Sequence, residues 1–266
     1  MIKRLRSILS PAPEPAAAIA AAVPEGTRVY AIGDVHGRLD LFEQLIAAID
    51  ADDAARTPAE TTVVLLGDLV DRGPDSAGVI DAAMAWRARR PVRLLAGNHE
   101  EMFLDSLERT EVLRHFLRYG GKETVLSYPI DRTDYRELSL DELQARMVAA
   151  VPQAHVDYLR DAEDMIAIGD YLFVHAGIRP GVALEDQSPG DLRWIRESFI
   201  SDTRDHGCVV VHGHTISAAV EEMPNRIGID TGAFQSGRLT ALGLEGSQRW
   251  YLVARDAIAR VDDEAA

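Results

Sequence analysis

Three short apolar, β-branched runs in the first hundred residues each end in a glycine-flanked polar cluster. Arg28 to Ile32 runs into Gly33-Asp34-Val35-His36-Gly37, Thr62 to Leu66 into Gly67-Asp68-Leu69-Val70-Asp71-Arg72-Gly73, and Val92 to Ala96 into Gly97-Asn98-His99-Glu100. Segments of helical period, Leu39 to Ala51 and Ser76 to Arg89, separate them, and a third, Glu100 to Leu107, follows. This is the pattern of strands joined by crossover helices in an α/β sheet. Ligands bind such sheets outside the carboxyl ends of the strands, so the three clusters are expected side by side on one rim. Glycine lets the backbone there turn sharply and approach an ion or phosphate closely.

The second half repeats the arrangement. Tyr171 to Val174 delivers His175, and Val209 to Val211 delivers His212-Gly213-His214. Arg226 to Ile229, Leu239 to Leu244 and Trp250 to Ala254 follow with only turns between them, while helices are expected between Glu111 and Leu159 and over Leu192 to Phe199. The expected fold is α/β: two sheets packed face to face with helices outside, in one layered domain over residues 27–266. Residues 1–26 read as a flexible leader, because Pro11, Pro13, Glu14 and Pro15 separate Lys3, Arg4 and Arg6 from an apolar stretch made largely of alanine. A secretory signal places its apolar run directly after the basic start.

Composition removes several classes of function. With 28 Lys and Arg against 43 Asp and Glu, a net charge of −15 repels nucleic-acid backbones and anionic membranes. The single cysteine, Cys208, forms neither an internal disulfide nor a thiolate cage, so any metal is held by His, Asp, Glu or Asn. No run approaches the roughly 18 apolar residues of a membrane span. These features together read as a cytoplasmic protein.

Asp, His, Asn and Arg converging at five strand ends suit a two-metal site. Asp34 and His36 chelate one ion across a turn; Asn98, His175 and one histidine of the 212–214 pair hold a second; the Asp68 carboxylate bridges them. Metals bridged in this way acidify a shared water into hydroxide and neutralise phosphate oxygens, which suits in-line hydrolysis of phosphate esters. Nitrogen and oxygen donors without sulfur point to manganese, iron or zinc rather than calcium.

The strings GDVHG at 33–37, GDLVDRG at 67–73 and GNHE at 97–100, with His175 and Gly213-His214 downstream, resemble the calcineurin-like metallophosphoesterases. Within them they resemble the phosphoprotein phosphatase branch, in particular its bacterial and phage-type serine/threonine phosphatases. The likeness runs from about Tyr30 to the end. It implies a two-sheet β-sandwich flanked by helices, with Asp34, His36 and Asp68 on the first metal and Asp68, Asn98, His175 and His214 on the second, Mn²⁺ being the expected ion. His212 is then a structural residue, and Ile216 stands where members of other branches often carry a further histidine.

The remaining polar residues take roles argued from charge. Arg72 presents a planar, permanently charged fork to phosphate oxygens. His99 is the expected general acid for the leaving oxygen, its ring oriented and charged by Asp71, and the resemblance gives the pair the same roles. A second phosphate-binding arginine is expected at Arg193 or Arg196, three residues apart and so on one helical face; Arg196 is preferred because WIRESF resembles the matching bacterial motif. Asn98 also faces substrate. Glu100 pairs with a neighbour or supports a ligand, and Asp230 sits beside the ligands.

The resulting expectation is a metal-dependent phosphomonoester hydrolase, a serine/threonine protein phosphatase acting on phosphorylated protein or peptide. The alternative is a symmetrical dinucleoside tetraphosphate hydrolase or another nucleotide phosphohydrolase, and Asp71 discriminates, since the tetraphosphatase typically lacks a carboxylate there. Small phosphate esters and nucleotides are further substrates. A binding module that had lost activity would carry substitutions among these positions, and none is present. The segment 103–170, with Arg109, Arg114, Arg118, Lys122 and Arg132, is expected to form a helical cap over the metal rim that attracts phosphorylated peptides.

Overall fold

Alternation along the strands sorts side chains into three cores. In the computed structural model, which describes residues 21–256, β1 (Thr27–Ile32) sends Val29 and Ala31 to one face and Tyr30 and Ile32 to the other. Crossovers through α1 (Leu39–Ala55) and α2 (Ser76–Arg87) place β2 (Glu60–Leu65) and β3 (Val92–Leu94) parallel to it. Asp75 caps α2 through the amide of Gly78. β3 leads into α3 (Asn98–Glu108) and then a run of short helices: α4 (Thr110–Phe116), α5 (Lys122–Ser127), α6 (Arg132–Glu137), α7 (Leu140–Ala150) and α8 (Gln153–Arg160).

The second sheet is built on β5 (Tyr171–Val174), β6 (Val209–His212) and β8 (Arg226–Gly228), mutually parallel, with β4 (Met165–Ile168) and β7 (Glu221–Glu222) as antiparallel edges. Between β5 and β6 lie α9 (Pro189–Trp194) and α10 (Glu197–Ile200). After α11 (Ala233–Ser236) the chain returns to the first sheet as the hairpin β9 (Arg238–Glu245) and β10 (Gln248–Arg255), giving the orders β10-β9-β1-β2-β3 and β4-β5-β6-β8-β7. Val29, Ala31, Val64, Leu66, Tyr171, Phe173, Val211 and Leu242 fill the space between the sheets. Helices cover both outer faces. The expected α/β two-sheet sandwich is therefore the fold, and the carboxyl ends of β1, β2, β3, β5, β6 and β8 share one rim.

Four local expectations are corrected or refined. The short β4, ended by the Gly169-Asp170 turn, and the two-residue β7 add strands that had not been expected. Residues 192–199 do not form one helix: Ile195 is extended (φ −62°, ψ 145°) and Arg196 has φ −133°, ψ −109°, so Arg193 and Arg196 do not share a helical face. In the segment 103–170, expected as a cap over the rim, Leu113, Phe116, Val125, Leu143, Met147 and Val156 join the core beneath α2 and α3, because α4, α5, α7 and α8 each have an apolar stripe to bury. Around Gly120 and Thr124 the segment reaches the rim, where it meets Arg72 and Asp71. The leader expected over residues 1–26 lies outside the described residues as far as residue 20, but Ala21 to Gly26 belong to the fold: Val23 is 3% exposed and donates its amide to Gly246, and the Ala22 amide donates to Asp170.

Candidate metal centre

Asp68 lies at the middle of the rim, buried, with four histidines around its carboxylate. His36 Nε2 is 3.5 Å from Oδ2, His175 Nε2 is 3.4 Å from Oδ1, and His99 Nε2 is 3.9 Å from Oδ2. His214 completes the group of Asp68 and His175, its Nδ1 3.2 Å from His175 Nε2; Asn98 Oδ1 is 3.0 Å from the same Nε2. The second expected ligand set, Asp68, Asn98, His175 and His214, is thus gathered in one place. In the first, His36 and Asp68 group with His99, while Asp34 lies beside them, accepting the His214 amide at 3.0 Å and abutting Asp230. His212 stays apart: it falls on the outer face of β6 with Val210 and packs edge-on against Phe199.

Two of the ring orientations are fixed from behind. His36 Nδ1 donates to the Val70 carbonyl at 2.8 Å and His175 Nδ1 to that of Leu66 at 2.7 Å, which turns each Nε2 lone pair inward. His36 Nε2 and His214 Nε2 are buried without a hydrogen-bond partner. Burial pushes His36 down to about 3 and lowers His175 and His214, so these rings are neutral. Burial also raises Asp34 well above the usual carboxylate range, helped by Asp230 and Asp68, and takes Asp230 up to about 6. Neutral imidazoles with orphaned nitrogens beside crowded carboxylates form a set that lacks positive charge. Divalent cations supply it, and His36, Asp68, His175, His214 and Asn98 are the donors that fit them.

The backbone here is held in a sparsely populated conformation. Among the described residues, the non-glycine positions with positive φ are His36 (47°), Asp68 (51°), Asp71 (73°), Arg72 (70°) and His214 (61°), all at this rim. Each costs on the order of 1 kcal/mol and persists only because its surroundings over-determine it. Every one of these amides is captured: His36 by the Asp68 carbonyl, Asp68 by Glu100, Asp71 by Ser76 and Thr124, Arg72 by the Gly120 carbonyl, His214 by Asp34. Glu100 also takes the amides of Leu69 and Val70, so one buried carboxylate shapes the whole turn that presents the bridging aspartate.

Beyond the ligands, His99 Nδ1 donates to Asp71 Oδ2 at 2.6 Å, and Arg72 Nη2 lies 3.0 Å from His99 Nε2 with its guanidinium over the Phe234 ring. Against the lowering that burial causes, Asp68 and Asp71 hold His99 above its ordinary value. Arg196 Nη1 donates to the His214 carbonyl at 3.3 Å. Arg193 instead pairs with Glu101 and Asp164. Glu100, expected to pair with a neighbour or support a ligand, holds the amide of Asp68; sequence reasoning missed Thr124 and Gly120 behind Asp71 and Arg72, and Phe234 beneath Arg72.

Residues 27–232 match the family model described as calcineurin-like phosphoesterase, and the chain belongs to that family. It is a metallophosphoesterase by fold and by motif. A symmetrical bis(5'-nucleosyl)-tetraphosphatase of Delftia acidovorans is 31% identical over 152 residues, 57% of this chain and 45% of that protein. The asymmetrical bis(5'-nucleosyl)-tetraphosphatase PrpE of Anoxybacillus flavithermus is 26% identical over 228 residues, 79% of this chain and 88% of its own length. The chain thus spans about half the length of the symmetrical enzymes it matches. Among solved structures, a putative diadenosine tetraphosphatase superposes with a TM-score of 0.59 at 21% identity, covering 90% of this chain and 100% of that one. A cold-active protein tyrosine phosphatase superposes with 0.56 at 21% identity, covering 87% and 81%. Both structural likenesses speak for the fold. No helix among the described residues is long and apolar enough to cross a membrane.

Proposed function

We propose that this phosphoesterase hydrolyses the polyphosphate chain of dinucleoside polyphosphates, in the cytoplasm, with two Mn²⁺ ions held by Asp34, His36, Asp68, Asn98, His175 and His214. The observation that carries the reading is the likeness to a bis(5'-nucleosyl)-tetraphosphatase over 79% of this chain and 88% of that relative. The bound ions supply Lewis acidity toward water and phosphate oxygens. Arg72, beside His99, and Arg196, beside the His214 carbonyl, grip non-bridging oxygens of neighbouring phosphates, and Asn98 faces the same oxygens. Water adds to phosphorus, the bridging P–O bond breaks, and His99, charged by Asp71, gives its Nε2 proton to the departing oxygen.

The serine/threonine protein phosphatase expected from Asp71 becomes the second reading. Its support is the His99–Asp71 pair at 2.6 Å. A strongly basic seryl alkoxide needs a proton as it leaves, whereas a departing nucleotide phosphate, with a pKa of about 6, needs it less. The relatives' names outweigh that argument, because an acid suited to the harder leaving group also serves the easier one.

The deciding experiment supplies chelator-stripped protein with Mn²⁺ and compares diadenosine tetraphosphate with a phosphoserine peptide. Faster cleavage of the dinucleotide, with ADP alone (symmetrical) or AMP and ATP (asymmetrical) as products, supports the first reading. Faster release of phosphate from the peptide transfers the site to the second.

A further inference from the structure

We propose that Thr124, on α5 and 53 residues from Asp71 in sequence, is a positioning residue that fixes the direction in which the Asp71 carboxylate meets His99. The inference rests on reading His99 as the acid, and it concerns a helix that no motif touches.

The hydrogen-bond inventory of one hydroxyl carries it. Thr124 Oγ1 donates to Asp71 Oδ1 at 2.6 Å, accepts the Asp71 amide at 2.8 Å, and lies 2.9 Å from Ser76 Oγ. A hydroxyl has one proton and two acceptor lone pairs, so with its proton on Asp71 it receives Ser76's. The proton order is then Ser76 to Thr124 to Asp71 Oδ1. That leaves Oδ2 to accept only from His99 Nδ1, at 2.6 Å. Asp71 is fully buried and held at φ 73°, so removing Thr124 takes the donor from its Oδ1, while its amide keeps Ser76 Oγ at 3.0 Å. The carboxylate is thereby kept as an acceptor toward the ring, which fixes Nδ1 as the donor to Asp71 and turns Nε2 toward Arg72 Nη2, 3.0 Å away at the rim. Four residues earlier, the same segment fixes Arg72: the Gly120 carbonyl accepts its amide at 3.1 Å, and a Cβ on Gly120 (φ 109°) would lie 2.7 Å from Arg72 Cγ.

The test compares Thr124→Val and Thr124→Ser in Mn²⁺-loaded protein on an alkyl and a p-nitrophenyl phosphate, alongside the ¹H spectrum of the His99 Nδ1 proton. A positioning role predicts that Val lowers kcat for the alkyl ester at least tenfold, leaves the aryl ester within about twofold, and moves the downfield Nδ1–H resonance, while Ser restores all three. Equal losses on both esters, or an unmoved resonance with unchanged kcat, overturns it. Should the Val variant fail to fold, Ser76→Ala, which breaks the same chain one link further out, is held to the same pattern at smaller amplitude. None of these readouts depends on whether the natural substrate is a nucleotide or a phosphoprotein.

Discussion

His99 Nδ1 and Asp71 Oδ2 meet at 2.6 Å in a setting from which water is excluded, the ring 2% exposed and the carboxylate 0%. A carboxylate so placed makes the imidazolium cheaper to form and fixes which nitrogen is left for the reacting group. His99→Asn and Asp71→Asn are expected to lower kcat by about 10² or more on an alkyl phosphate, the usual contribution of a positioned acid, and by much less on p-nitrophenyl phosphate. Parallel losses across a leaving-group series would remove His99 from the role of acid.

The orphaned Nε2 atoms of His36 and His214 define the second prediction. Chelator-treated protein is expected to bind two divalent ions, and saturation at a hundred times Kd to stabilise the fold by about 2.7 kcal/mol for each ion. Asp68→Asn, which weakens the shared ligand, should reduce binding of both ions, whereas His214→Ala should spare one. Metal content by elemental analysis and Tm with Mn²⁺, Zn²⁺ and Fe²⁺ check this; no Tm shift with any of them overturns the centre.

The three glycine-flanked motifs were legible because each joins a strand end to a polar cluster within a few residues, so the rim follows from chain order alone. The choice of His214 over His212 needed the family likeness, and the structure supplies its physical basis: pleat alternation puts His212 with Val210 on the outer face, against Phe199. The break at Ile195-Arg196 was invisible, since no glycine or proline marks it. Thr124 and Gly120 were invisible for a different reason. Their roles exist only through contacts with residues about fifty positions away, in a segment whose charges drew attention to its surface instead. Asp71 shows a further limit: it was read as a mark of substrate class, while its geometry speaks only to the acid.

Away from the centre, Arg28 is 1% exposed and is held by Asp53 at 2.7 Å, with Thr61 and Arg90 also donating to that carboxylate. Burial alone would raise Asp53, but these donors hold it below the usual carboxylate range. With the folded value depressed, its contribution is complete above the unfolded pKa of about 3.9 and is lost as pH falls through the folded one. Asp53→Asn is expected to cost about 2 kcal/mol at pH 7, because the buried Arg28 loses one of its two carboxylates while Glu245 still holds it at 2.9 Å, and progressively less below pH 4. Urea unfolding of both proteins at pH 7 and pH 3 measures it; a pH-independent difference would show that lost packing dominates.

The two arginines that sequence left in competition separate by what they touch. Arg193 is bound by Glu101 at 2.7 Å and Asp164 at 2.6 Å, which commits both its Nη atoms and ties α9 to α3 and to the approach to β4. Among the described residues Arg196 has only the His214 carbonyl, at 3.3 Å, because the extended Ile195 swings it away from α9 toward the ligands. A guanidinium with most of its donors uncommitted beside the centre is the one available to a phosphate, where a bidentate grip is stronger than a neutral hydrogen bond. Arg196→Ala is therefore expected to raise KM for a phosphate ester by about tenfold or more with Tm nearly unchanged, and Arg196→Lys to recover only part, since a point charge lacks the fork. Arg193→Ala is expected to do the reverse, lowering Tm by a few degrees and leaving KM within about twofold. If instead Arg193→Ala raised KM while Arg196→Ala did not, phosphate would be reaching the centre from the α3 side, past Glu101, and the break at Ile195 would have no part in binding.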